Sequence, residues 1–223
     1  MKRTKLIDRK LPSYCKGEEI MNMVTHIVGC SVGFIALLLC LFRTIPTGSV
    51  ADIIGVCIYG GAMILLYAIS SVYHGLHPST GKKVMQIIDH CAIYFLIAGT
   101  YTPILISAII PRAPLVGWTL LFLEWGLASL ATALTAIDLK KYNVFSMICY
   151  IFMGWCIIFF LPLAVQLLTK SGFALLLAGG ITYTVGAILY GVGVKVKWMH
   201  SVFHIFVVAG SFLQFLAIFL YVL

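Results

Sequence analysis

Charge is scarce in this sequence. Of 223 residues 10% are charged and 62% hydrophobic, whereas a soluble globular domain carries about 25% charged residues. With a mean hydropathy of +1.08, the chain is expected to sit in lipid. No Ser/Pro/Gly-rich or charged stretch is long enough to be a linker, so one compact bundle follows. The seven cysteines (15, 30, 40, 57, 91, 149, 156) contain no CxxC pair and mostly lie inside apolar segments. They read as reduced packing residues rather than disulfides or thiolate sites. P-loop, GxSxG and dinucleotide fingerprints are absent, which removes the usual soluble-enzyme readings. The basic opening MKRTKLIDRKLPSYCK has no apolar run before Met21, so a cleavable signal peptide is not expected.

What the chain does have is long apolar runs. A bilayer core of about 30 Å needs roughly 20 apolar residues per helix. On that scale spans fall near 22–42, 52–76, 86–109, 115–136, 144–168, 173–194 and 201–222. They are separated by breaks at Arg43 to Ser49, His77 to Lys83, Pro111 to Pro114, Asp138 to Asn143, Lys170 to Gly172 and Lys195 to Lys197. The expected fold is all-α, a seven-helix transmembrane bundle over residues 21–223 behind a short basic cytoplasmic segment, 1–20. Pro103 and Pro162 are expected to kink spans 3 and 5, with neighbouring groups meeting the freed carbonyls. Small residues in span 6 (Gly179, Gly180, Gly186, Gly191, Gly193) are expected to allow close helix approach.

The net charge of +8 fits topology better than nucleic-acid binding, because the cations lie in short clusters between apolar runs. With the N-terminus inside, the cytoplasmic side holds Lys2, Arg3, Lys5, Arg9, Lys10, Lys16, Lys82, Lys83, Lys140, Lys141, Lys195 and Lys197. Arg43, Arg112 and Lys170 lie opposite. That asymmetry predicts a multi-pass plasma (cell inner) membrane protein with its N-terminus in and its C-terminus out.

Ionisable groups within a membrane are costly, so each needs a reason. Late residues of span 2 (Ser70, His74) and early ones of span 3 (Asp89, His90) and span 7 (His200, His204) come to the same cytoplasmic depth. Glu19, Asn22 and His26 of span 1 join them. His200 and His204 are i, i+4 and share a helix face, so both imidazoles can bind one ion. With His74 they make a His₃ set that leaves a fourth tetrahedral position for water, the open arrangement of a catalytic zinc. Asp89 is placed to act as general base, and Ser70 to orient it or to donate to a substrate carbonyl. Zinc lowers the pKa of water to roughly 7 and polarises a carbonyl, which points to amide or ester hydrolysis. His90 lies about 100° around the helix from Asp89 and reads as structural or as a support behind the site's own residues. Packing or capping is expected of Glu19, Asn22 and His26 rather than ligation. His77, before Pro78, is expected in solvent. Glu124, within span 4, is expected to hydrogen-bond between helices while protonated, a proton relay being the alternative.

The stretches EEIMNMVTHIVG, SSVYHGL, IDHCAIYFLIAGTYTPILI, YIFMGW, LAGGITYTVGAILY and HSVFHIFVVAGS resemble the bacterial hemolysin III family. That family belongs to the progestin and adipoQ receptor superfamily, which is grouped with alkaline ceramidases. The resemblance runs from Glu18 to near the end of the chain. It implies zinc on His74, His200 and His204, Asp89 beside the water of the fourth position, and Ser70 as the serine of the Ser-x₃-His motif. It also implies lipid-amide hydrolysis, while the family's name implies lysis of red cells. Three functions stay open: a zinc-dependent lipid amide or ester hydrolase working at the cytoplasmic leaflet, a membrane-lytic or pore-forming protein, and a non-enzymatic regulator of membrane homeostasis with a structural zinc. Membrane lipids and zinc are the expected partners; nucleic acid and a soluble protein partner are not expected.

Overall fold

The computed structural model describes residues 4–193 and 196–223, so Lys2, Arg3 and Lys195 lie outside the described residues. Seven α-helical segments follow one another: α1 (Lys16–Thr44), α2 (Val50–Gly75), α3 (Thr80–Pro103), α4 (Pro114–Ile137), α5 (Asn143–Trp155), α6 (Leu161–Gly193) and α7 (Met199–Tyr221). Among the described residues, six stretches can cross a membrane by length and apolar composition, because residues 143–193 form one helical run. That run is broken at Thr169, whose φ of 63° and ψ of 166° are not helical. Trp155 Nε1 donates to Thr184 Oγ1 at 3.0 Å. An unbroken helix would hold those residues about 40 Å apart, so the chain doubles back between them.

Local chemistry sets the helix starts. Glu18 reaches back to the Cys15 amide (2.9 Å), which opens α1 at Lys16 rather than at the expected 22. Ser49 accepts from the Asp52 amide at the start of α2. Ser79 accepts from the Lys82 amide (3.1 Å), starting α3 at Thr80 rather than 86. A first turn carrying two lysines is thereby helical, and Lys82 is buried rather than in a loop.

The helical pattern changes type near both prolines. Beyond Pro103 the helix widens into a π-helical turn over Ile104–Ile109. Ahead of Pro162, Cys156–Phe160 tightens to 3₁₀. Tyr101 braces the junction between α5 and this turn, donating to the Gly154 carbonyl (3.2 Å) and accepting from the Ile157 amide (3.1 Å).

Helices α1 to α4 pack in sequence, α6 lies on α7, and α7 closes against α1. Helix α3 is the centre: 72% of its most apolar window is buried, against 28–44% for the other crossing segments. Large apolar side chains such as Phe42, Leu115 and Phe122 cover the outside, where lipid makes that surface favourable. Close approach rests on glycine at Gly99, where a Cβ would meet that of Ala62 at 2.7 Å. In α6, Gly179 lets Gln214 lie flat against the helix, whereas Gly191 faces open space. All seven cysteines are free.

Candidate metal centre

The end of α2, the start of α7 and the early turns of α1 and α3 meet at one end of the bundle. His74, His200 and His204 are buried there, and each offers a ring nitrogen within 4.8 Å of the others. His200 Nε2 and His204 Nε2 are 3.1 Å apart.

Hydrogen bonds fix how these rings point. His204 Nδ1 donates to the Asn22 carbonyl (3.2 Å), which leaves the lone pair on Nε2. His74 Nδ1 donates to Glu19 Oε2 at 2.7 Å, and its Nε2 is buried with no partner. Three converging imidazoles, with Nε2 of His74 unmet, are poor company for one another but good company for a cation. Bond lengths of about 2.0–2.1 Å at tetrahedral angles would set imidazole nitrogens about 3.3 Å apart, close to the 3.1 Å between His200 and His204. The three nitrogens could therefore hold a metal ion.

Around the rings lies a polar layer. Lys82 Nζ donates to Glu19 Oε1 (2.6 Å) and to the Leu76 carbonyl (2.9 Å). Lys82, Glu19 and His74 thus form a chain that holds one ring by its outer nitrogen, as carboxylates do for metal-ligating histidines. Asn22 Oδ1 accepts from Ser201 Oγ (2.6 Å), tying α1 to α7. Glu18 is buried and accepts the Trp198 amide (2.6 Å), where Trp198 begins α7 in the left-handed region at φ 68°. His26 stacks on His204 with centroids 3.7 Å apart. Tyr14 stacks on His200 at 4.8 Å, so the N-terminal segment roofs the cluster.

On the inner side the cluster opens into a cavity of about 180 Å³. Ser70, Asp89, His90 and Tyr190 share its wall with His200 and His204, and Leu96 and Val207 continue it into the bundle. Asp89 interacts with the Ser70 side chain and, electrostatically, with His74. The 16% of the Asp89 side chain that stays exposed faces this cavity.

The structure brings together His74, His200, His204, Ser70 and Asp89. His90 donates from Nδ1 to the Gln86 carbonyl (2.8 Å) while lining the cavity. Glu19, Asn22 and His26 stay outside the three-nitrogen group, yet they touch its rings, a tighter role than packing or capping. His77 is exposed. Glu124 is far from this site in sequence and buried beside Cys156 of the next helix. Lys82 and Tyr14 were not legible as site residues: one reads as a loop cation, and the other sits in a polar segment without periodicity.

A helical membrane protein with a buried three-histidine cluster opening on a largely apolar cavity is the class that fold and site define. The chain belongs to the haemolysin-III related family, whose model matches residues 14–215. It is 40% identical over 206 residues to Hemolysin-3 of Bacillus cereus, covering 92% of each chain. It is 37% identical to the Hemolysin-3 homolog of Bacillus subtilis (strain 168), over 92% of this chain and 94% of that one. The human monocyte to macrophage differentiation factor is 27% identical over 74% of this chain and 68% of its own. The protein is accordingly a multi-pass protein of the cell membrane.

Proposed function

We propose that this protein is a zinc-dependent hydrolase that cleaves an amide or ester bond of a lipid entering from the cytoplasmic leaflet. The observation that carries this reading is the union of three features in one place: three converging imidazole nitrogens, a carboxylate beside a serine, and an apolar cavity behind them. In this reading the run 143–193 crosses twice, turning at Thr169, which gives seven crossings. The described clusters Lys5/Arg9/Lys10, Lys82/Lys83 and Lys140/Lys141 then face the cytoplasm.

His74, His200 and His204 would hold the ion, which when bound polarises a carbonyl and acidifies water. The chain's own residues supply the rest. Asp89 takes the proton of the attacking water and returns it to the leaving amine or alkoxide. Ser70 holds the Asp89 carboxylate towards the cavity. Glu19 and the Asn22 carbonyl keep His74 and His204 in the tautomers that face inward. Tyr14 and the N-terminal segment limit bulk water at the polar end, while the apolar wall accommodates a lipid chain.

The first test is metal content of detergent-purified protein beside His200→Ala, followed by turnover of ceramide-like and phospholipid substrates. About one zinc per chain, lost in the variant, is expected. Asp89→Asn is expected to keep zinc and lose turnover; retained turnover would overturn the general-base assignment. A second reading, zinc as a staple between α2 and α7, draws support from the Lys82–Glu19–His74 chain that already braces that junction. It would be preferred if chelation melted the bundle and no lipid was cleaved by the zinc-loaded protein.

A further inference from the structure

The cavity has unmet polar atoms at both ends. Among the described residues lining it, two carry buried side-chain nitrogen or oxygen atoms without a hydrogen-bond partner: His26, beside the cluster, and Gln214. Gln214 lies ten residues beyond His204 on α7, about 15 Å away by helical rise. Its side chain is 7% exposed.

The orientation of this amide is settled by its neighbour. Gln214 donates from Nε2 to the Leu176 carbonyl at 3.0 Å. A carbonyl accepts only, so the atom left over is the acceptor Oε1. Gly179 holds the amide flat, since a Cβ there would come within 2.7 Å of Nε2. A clamped amide thus leaves a buried oxygen with nothing to accept from, on a residue that lines a largely apolar chamber.

We propose that Gln214 Oε1 recognises a hydroxyl carried on the hydrocarbon chain of the cavity's ligand, roughly 15 Å from the histidine cluster. The wall between the two ends is apolar where Leu96, Ile97, Val207 and Leu177 line it, which suits an alkyl chain. The donor must be neutral. Asp89 is the sole carboxylate among the described lining residues, and it lies at the other end, so an ammonium beside Gln214 would be buried unpaired. Other hydroxyls of the lining are engaged already: Thr100 donates to Leu96 O, and Tyr183 pairs with Ser211. The ligand class is an amphipathic lipid with its reactive carbonyl at the histidines and a hydroxyl far along its chain.

This inference rests on the cavity's holding a lipid chain, and the test separates the two. Saturated fatty acids hydroxylated at successive carbons, each beside the plain acid, compete against a fluorescent fatty acid for the purified full-length protein. One narrow window of hydroxyl positions is expected to bind roughly three- to tenfold tighter than the plain acid, the worth of one buried neutral hydrogen bond. In Gln214→Met, which keeps the side chain's length, that preference is expected to vanish while the plain acid still binds. A flat profile in the wild-type protein would overturn the inference alone, leaving Oε1 to an ordered water. A preference that survives in Gln214→Met would also overturn it. If no acid displaces the probe, the lipid-chain reading and the inference fall together. Should the variant not fold, the wild-type profile still decides.

Discussion

If the histidine cluster holds zinc as proposed, replacing Glu19 with Gln separates what zinc binding needs from what the fold needs. Glu19 gives one carboxylate oxygen to His74 Nδ1 (2.7 Å) and the other to Lys82 Nζ (2.6 Å). Glutamine keeps the length but removes the charge, and its amide nitrogen cannot accept. The bond that orients His74 and raises its basicity weakens, and such outer partners are worth about 10- to 100-fold in metal affinity, or about 1.4–2.7 kcal/mol. Lys82 separately loses its counter-ion, although its side chain is only 4% exposed. Orphaning a buried charge costs about 3–5 kcal/mol. Because Glu19 is 20% exposed, solvent screening reduces this to about 1–3 kcal/mol. Zinc affinity by competition with a chromophoric chelator reads the first effect, and thermal unfolding in detergent reads the second. In the double variant Glu19→Gln/Lys82→Met the lone ammonium is gone, so stability should recover while zinc affinity stays low. Zinc affinity within about twofold of wild type in Glu19→Gln would refute the orienting role. Recovery of both properties in the double variant would show that Glu19 acts only by neutralising Lys82.

Gly99→Ala is expected to lower stability by about 1–3 kcal/mol in thermal unfolding, because the new methyl meets the Ala62 Cβ at 2.7 Å and neither short side chain can turn aside; an unchanged melt would show that α2 and α3 shift apart freely. Asp138, after α4, accepts from the Thr4 amide (2.7 Å) and the Lys141 amide (3.1 Å), and those bonds hold its carboxyl below the usual range. Its hold on the N-terminal segment is therefore complete above the unfolded value of about 3.9 and lost as pH falls through the depressed folded value. Pepsin cleavage in the N-terminal segment, compared with Asp138→Ala at each pH, should differ most at the upper end of the pepsin range and converge as pH drops. Equal rates throughout would remove Asp138 as the anchor.

Much of this protein is written along the chain, because a bilayer constrains each segment on its own. Apolar runs long enough to cross lipid, broken at Arg43–Ser49 or Pro111–Pro114, require no knowledge of partners. The same holds for Pro103 and Pro162, whose missing amides disturb a helix wherever it packs. The i, i+4 spacing of His200 and His204 puts two imidazoles on one face by helix geometry alone. The Ser-x₃-His of Ser70 and His74, and Asp89 early in the next helix, bring the remaining site residues to one depth. The polar face Glu19, Asn22, His26 was visible as a pattern, but its purpose was not, since the rings and side chains each group touches lie far along the chain.

Tertiary structure decided the rest. Whether Lys82 is a solvated loop cation or a buried partner of Glu19 depends on the first turn of α3 coming within reach of Glu19 on α1, which no local spacing encodes. Tyr14 covers His200 only because the N-terminal segment folds back over the bundle end. Gln214, one polar residue in a long apolar helix, becomes a reader of the cavity only when α6 comes close at Gly179 and takes one half of its amide. Helix positions follow from the chain's own hydrogen bonds and its hydropathy, whereas hydrogen-bond partners between helices follow from packing, and function in this protein lives in those partners.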